Sequence, residues 1–126
     1  MALLDFGNYN GNQVIPSWAI TLTRNPASIV RKARHPFNNS NYILYGLGWD
    51  LQDYEGRKIV SHTGGTDGFV TSVTLVPEED LAIVVLTNTD MNRLYAALKW
   101  EVIDVFLGLP FRDYSGYYLR LDKVAA

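Results

Sequence analysis

The chain has 126 residues, 48% of them hydrophobic and 19% charged. That is one domain or one part of a larger one, with enough apolar material for a core, and the composition excludes intrinsic disorder. The net charge of −2 offers no basic excess to hold a phosphate backbone, so nucleic acid is not an expected partner. There is no cysteine, which excludes disulfides, zinc–thiolate sites and thiol catalysis. With His35 and His62 as the two histidines, no metal site and no other cofactor is expected.

Residues 2–6 read as the last turns of a helix, with Gly7 as its left-handed cap. Met1 would then interrupt a helix rather than begin one. The start lacks the basic flank and length of a signal peptide, and no apolar run is long enough to span a membrane. Asn10-Gly11 centres a turn. Pro16 opens a short helix through Trp18, Ile20 and Leu22 to about Arg24, which Asn25-Pro26 ends. Residues 25–41 read as a long irregular connection. Its charges Arg31, Lys32 and Arg34 belong to a solvated surface, as does His35 in the loop, and the polar run Asn38-Asn39-Ser40-Asn41 closes it.

Residues 43–53 alternate with period two, which reads as a strand. Ile43, Tyr45, Leu47, Trp49 and Leu51 share its apolar face, with Trp49 in the core. Gly46 and Gly48 lie on the other face, where something must approach closely. A turn at 53–56 leads to a second strand at 57–62. Three glycines then break regularity over residues 63–68. A third strand covers 69–76, with Phe69, Val73 and Leu75 on one face. After a turn at 77–80, the unbroken apolar run 81–87 reads as a fourth strand in a central position. Residues 88–92 hold N-cap candidates for a helix whose stripe is Leu94, Leu98, Val102 and Val105, widened by Tyr95 and Phe106. Gly108 and Pro110 stop it. The tail has no assigned structure, and Tyr114, Tyr117 and Tyr118 are expected to dock on something. Asp50, Asp53, Glu55, Glu78, Glu79 and Asp80 are hairpin-tip carboxylates without the spacing of an EF-hand. The expected fold class is α+β: a meander of about four antiparallel strands flanked by N-terminal and C-terminal helices.

The stretch Ser61-His62-Thr63-Gly64-Gly65-Thr66-Asp67-Gly68-Phe69 is the candidate site. Glycines let a ligand come close, and the N–H groups near Gly64 and Gly65 would suit a developing oxyanion. His62 and Thr63 would hydrogen-bond a substrate carbonyl or carboxylate. On the residues alone, a glycine-rich hairpin with a surface histidine is the plainer reading. Asp67 is read as a turn-stabilising residue.

Four segments in order carry a resemblance: Tyr45-Gly46-Leu47-Gly48-Trp49, Val60-Ser61-His62-Thr63-Gly64-Gly65, Asp67-Gly68-Phe69 and the run from Leu81 to Asn88. Together they resemble the carboxy-terminal part of the serine β-lactamase-like family, which includes class C β-lactamases, penicillin-binding proteins, D-aminopeptidases and esterases. Tyr9-Asn10-Gly11-Asn12-Gln13-Val14-Ile15 also resembles the turn that follows a helix in that family. The resemblance covers about residues 1–115, leaving 116–126 as a tail or the start of a linker. It implies a part of the β-lactamase/transpeptidase-like fold. It also implies acyl-enzyme hydrolysis of an amide, β-lactam or ester in the whole protein, with His62, Thr63, Gly64 and Gly65 binding the substrate and its oxyanion. The Gly65 N–H would be the second oxyanion donor. His62 stands where true β-lactamases have lysine, which favours the esterase or peptidase branches.

The family's Ser-x-x-Lys and Tyr-x-Asn motifs are not in this sequence. No catalytic nucleophile is therefore assigned, and the chain is expected to be an inactive C-terminal piece whose partner is the amino-terminal part of the same domain. Apolar surface left uncovered predicts a homodimer or a rearranged amino-terminal segment. The resemblance implies a periplasmic or extracellular bacterial parent. The competing expectation is a stand-alone binding module that adds a peptide strand along the Gly64-Gly65 edge.

Overall fold

The computed structural model describes every residue except Arg34, Asn39, Met91 and Ala126. The expectations for Arg34 as a solvated charge, Asn39 in the polar run, Met91 in the capping run and Ala126 in the tail lie outside the described residues. The strands are β1 (Asn8–Tyr9), β2 (Asn12–Gln13), β3 (Ser28–Lys32), β4 (Tyr42–Tyr45), β5 (Asp50–Tyr54), β6 (Arg57–Thr66), β7 (Phe69–Val76) and β8 (Leu81–Thr87). The helices are α1 (Ser17–Thr23), α2 (Leu94–Phe106) and α3 (Tyr114–Ala125). β1 and β2 form a small sheet, and the other six follow one another in sequence order across a second. The α+β meander is present, with six strands in place of about four. No described helix is long and apolar enough to cross a membrane. The chain divides into two compact units, residues 1–62 with 73–82 and residues 63–72 with 83–126.

In the first unit, the expected amino-terminal helix is a single turn. The Asp5 N–H donates to the Met1 carbonyl at 3.1 Å and the Gly7 N–H to the Ala2 carbonyl at 2.7 Å. Phe6 already has φ 43°, which ends helical geometry, and Gly7 at φ 89° is the left-handed cap. Asn10 and Gly11, at φ 51° and 80°, make the turn between β1 and β2. Helix α1 follows Pro16 as expected. Residues 25–41 are less irregular than expected, because β3 pairs antiparallel with β4 at the end of the sheet. All five residues of β3 are exposed, including Ile29 and Val30.

The single strand expected over 43–53 is two strands. Gly48 has φ 84°, a turn conformation, and the Gly46 N–H donates to the Trp49 carbonyl at 2.8 Å, so residues 46–49 link β4 to β5. The close approach anticipated at Gly46 is real: a Cβ there would collide with the Thr23 carbonyl at the end of α1. Glu55 and Gly56, at φ 48° and 75°, turn β5 into β6. Leu51, Val60 and Leu75 form a core cluster, with Leu3, Leu4, Leu44, Trp49, Val73 and Ala82 packed against it. Thr74 is fully buried beside Leu75, and its hydroxyl has no hydrogen-bond partner among the described residues. A buried unsatisfied hydroxyl is destabilising, and valine has the same shape. Thr74→Val is therefore expected to raise the unfolding free energy by about 1–2 kcal/mol in a urea titration.

Asp53 ties the preceding loop to β5. Its carboxylate accepts from the Asn41 N–H at 3.0 Å and from the Asn41 side-chain amide at 2.9 Å. Slight burial pushes its pKa up, but these hydrogen bonds outweigh it and hold the carboxyl below its ordinary value. Arg24 is buried, its guanidinium donating to the Leu3 carbonyl, and burial lowers its pKa.

In the second unit, β6 does not stop at His62. It runs on through Thr66, and the hairpin turn is confined to Asp67 and Gly68, with φ 82° at Gly68. Strand β8 is the last in the sheet order, not a central one, and Val84 and Leu86 are exposed. The N-cap of α2 is Arg93, one residue past the expected run and without a side-chain cap bond, while Asn92 Oδ1 accepts from the Leu94 N–H at 3.1 Å just before it. The buried face of α2 is Ala97, Trp100, Ile103 and Asp104, rotated away from the expected stripe. Leu94, Val102, Val105 and Phe106 are exposed. The tail is helix α3. Asp113 Oδ1 accepts from the Gly116 N–H at 2.8 Å and Glu101 Oε1 from the Ser115 N–H at 2.9 Å. Tyr114 is fully buried and stacks on Trp100, with ring centroids 6.3 Å apart. The tail tyrosines are expected against the sheet or as a link to a downstream domain; Tyr114 and Tyr118 instead meet Trp100 of α2.

Candidate active site

The residues that sequence patterning singled out, His62, Thr63, Gly64 and Gly65, are consecutive in β6, and all four are exposed. The pairing of β5 with β6 ends at Asp50 opposite Ser61, so residues 62–66 continue past the last β5 partner. A strand that outruns its neighbour presents backbone N–H and C=O groups to whatever comes alongside.

His62 belongs to the first unit. Its Nε2 lies 3.3 Å from the Tyr45 hydroxyl, and the two rings meet edge to face with centroids 6.3 Å apart. The register explains the meeting. Tyr45 pairs with Asp50, and Asp50 with Ser61, which places the end of β4 two strands from the residue before His62. Sequence reading placed Tyr45 on the apolar face of one long strand over 43–53. The contact links positions 17 residues apart and depends on a turn that period-two alternation concealed.

Thr63, Gly64 and Gly65 belong to the second unit. The Thr71 hydroxyl donates to the Gly64 carbonyl at 3.4 Å. A Cβ on Gly64 would lie 3.2 Å from Thr71 Oγ1, tighter than ordinary contact. Gly65 is different. Its backbone is not in the left-handed region, and a Cβ would meet only the Phe69 carbonyl, at an ordinary 3.8 Å. Every other glycine of the chain has either positive φ or a neighbour closer than ordinary contact. The described structure therefore gives no internal reason for glycine at position 65. The turn beyond is anchored by Asp90, whose Oδ1 accepts from the Gly68 N–H at 2.7 Å. The Thr87 hydroxyl donates to the Val70 carbonyl at 2.7 Å, and Asn92 Nδ2 donates to Thr87 Oγ1 at 2.9 Å. The carboxylate that fixes the turn is thus Asp90, a partner 22 residues away that local sequence did not disclose.

A cleft of about 530 Å³ in the first unit is lined by Pro26, Tyr42, Leu44, Leu51, Asp53 and Arg57, among others, and includes none of the four site residues. The candidate site is an open strand end, not an enclosed cavity.

The family model described as Beta-lactamase matches residues 7–107. The chain is similar to "Unguisins hydrolase ungD'" of Aspergillus campestris, 44% identical over 84 residues, covering 63% of this chain and 16% of that protein. It is similar to "Unguisins hydrolase ungD" of Aspergillus violaceofuscus, 32% identical over 73 residues, 56% of this chain and 13% of that protein. It is also similar to "Penicillin-binding protein 4*" of Bacillus subtilis, 32% identical over 76 residues, 59% of this chain and 17% of that protein. The matched stretch is thus less than a fifth of each relative's length. No solved structure matches the chain significantly.

Proposed function

The chain belongs to the beta-lactamase family, and we propose that it is the substrate- and oxyanion-binding part of a serine hydrolase whose nucleophile lies in polypeptide outside this sequence. The observation that carries this reading is Gly65. Glycine inside a strand is less stable than alanine by roughly 0.5–1 kcal/mol, and neither φ nor crowding requires it here. A residue kept small without an internal reason fits an approach from outside, and the partner this geometry suits is a reacting carbonyl. Its oxygen would take the Gly65 N–H as one of two donors, the nucleophile's own N–H being the other. Thr63 and His62 would bind the polar flank of the substrate. The substrate class is an amide or ester, with a fixed lysine charge absent at position 62.

The 126-residue chain alone is expected to hydrolyse neither nitrocefin nor a p-nitrophenyl ester above a heat-denatured control, because it has no Ser-x-x-Lys motif. Turnover abolished by His62→Ala would contradict this. Joined to a segment carrying that motif, it is expected to gain turnover; continued silence of a folded joined protein would contradict the reading. Val84, Leu86, Val102, Val105 and Phe106 are exposed, and in the whole enzyme other polypeptide would cover such apolar side chains. The isolated chain is therefore expected to self-associate by light scattering, a clean monomer being the opposing result.

A further inference from the structure

We propose that Tyr45 is a positioning residue for His62: its hydroxyl donates to His62 Nε2, which keeps the imidazole proton on Nδ1 as the donor offered to substrate. The inference rests on the hydrolytic reading for what that donor serves, but the positioning itself is a matter of geometry. Among the described residues, Tyr45 is the sole hydrogen-bond partner of the imidazole, at 3.3 Å, and its ring also lies edge to face with it. The rest of the His62 surroundings is open, since His62 is exposed and β5 has ended one residue earlier. A free side chain in that place would spread over its rotamers and lose entropy on binding. A ring already held loses less.

Chemistry sets the direction of the bond. A phenol is a far better donor than acceptor, and a neutral imidazole nitrogen is a far better acceptor than a phenol oxygen. The favoured pairing is O–H···N, and a bare Nε2 requires the proton on Nδ1. The 3.3 Å separation is long for a hydroxyl donor, so the ring is held in place without being locked. Tyr45 itself is fixed from both sides. It ends β4 opposite Asp50, and its carbonyl accepts from the Ala27 N–H at 2.8 Å.

The chain has two histidines, which makes nitrogen-15 spectroscopy of the imidazoles decisive. His35 serves as the internal reference. Its Nδ1 accepts from the Phe37 N–H at 3.2 Å, which demands the opposite tautomer, with the proton on Nε2. In the labelled 126-residue chain, at a pH where both rings are neutral, the proton of His62 is expected on Nδ1. In Tyr45→Phe, which keeps the ring and removes the hydroxyl alone, His62 is expected to lose that preference and show two averaged nitrogens, with His35 unmoved. A wild-type His62 protonated on Nε2 would overturn the proposal even if the variant failed to fold. So would an unchanged tautomer in a folded Tyr45→Phe. The readout involves no turnover, so failure of the hydrolytic reading would show separately, in the assays of the joined polypeptide.

Discussion

Replacing Gly65 by valine is expected to lower kcat on the order of 10²-fold in a polypeptide that also carries the nucleophile, the scale of losing one oxyanion donor. The same substitution is expected to leave the isolated chain as stable as before, or more stable by up to about 1 kcal/mol. The two effects run in opposite directions for one physical reason. The position has φ in the ordinary region and no neighbour closer than 3.8 Å to an added Cβ, so the fold accepts a side chain. A carbonyl arriving at the Gly65 N–H would not accept it, because a branched side chain occupies the path to the donor. Thermal unfolding of the chain and steady-state kinetics of the joined polypeptide check the two halves. A variant destabilised by more than about 1 kcal/mol would mean that glycine serves the fold instead.

The second large effect lies in the tail. Tyr114→Ala is expected to lower the stability of the second unit by about 3–5 kcal/mol. Tyr114 is wholly buried, and its ring stacks on Trp100 at an interplanar angle of 22°. Removing it leaves a void between α2 and α3 that the surface pair Arg93–Asp122, at 2.8 Å, is too exposed to offset. Urea unfolding followed by tryptophan fluorescence measures the loss, and a change below about 1 kcal/mol would show α3 undocked in solution. Alkaline titration reads the same interface. Burial, then the neighbouring Tyr117 and Tyr95, push the Tyr118 hydroxyl up to about 12, and a hydrogen bond with Trp100 only partly offsets this. The folded state thus holds the Tyr118 proton more tightly than the unfolded state. This contribution is complete below pH 10 and is lost as pH rises from 10 towards about 12.

What the sequence disclosed followed the range of the interaction. The turns at Asn10-Gly11 and Glu55-Gly56 were legible because each needs positive φ, which Asn10, Gly11 and Gly56 announce by residue type, whereas Glu55 does not. The end of β6 was read as broken because glycines stand at 64, 65 and 68, yet only Gly68 has the turn conformation. Glycine there records two different needs, and composition does not separate them. The run at 81–87 was read as central because apolar residues fill both faces. An edge strand with Val84 and Leu86 uncovered has the same letters, since burial is decided by neighbours. The stripe on α2 failed for a related reason: nearly every turn of that helix carries apolar side chains on several sides, so periodicity did not select Trp100 and Ile103 over Val102 and Val105. Strand β3 was hidden between prolines and a polar run. The four residues proposed for the site were legible as a motif, whereas Tyr45, beside His62, and Asp90, at the Gly68 turn beyond the motif, come near them only in the folded chain.

The most direct measurement is a structure of the joined, nucleophile-bearing polypeptide with a boronate or phosphonate on the serine, each mimicking the tetrahedral intermediate. One oxygen of the adduct is expected to lie about 2.7–3.1 Å from the Gly65 nitrogen, with the His62 ring still against the Tyr45 hydroxyl. An adduct whose oxygens all turn away from β6, leaving the Gly65 N–H bound to water or to another strand, would contradict the account.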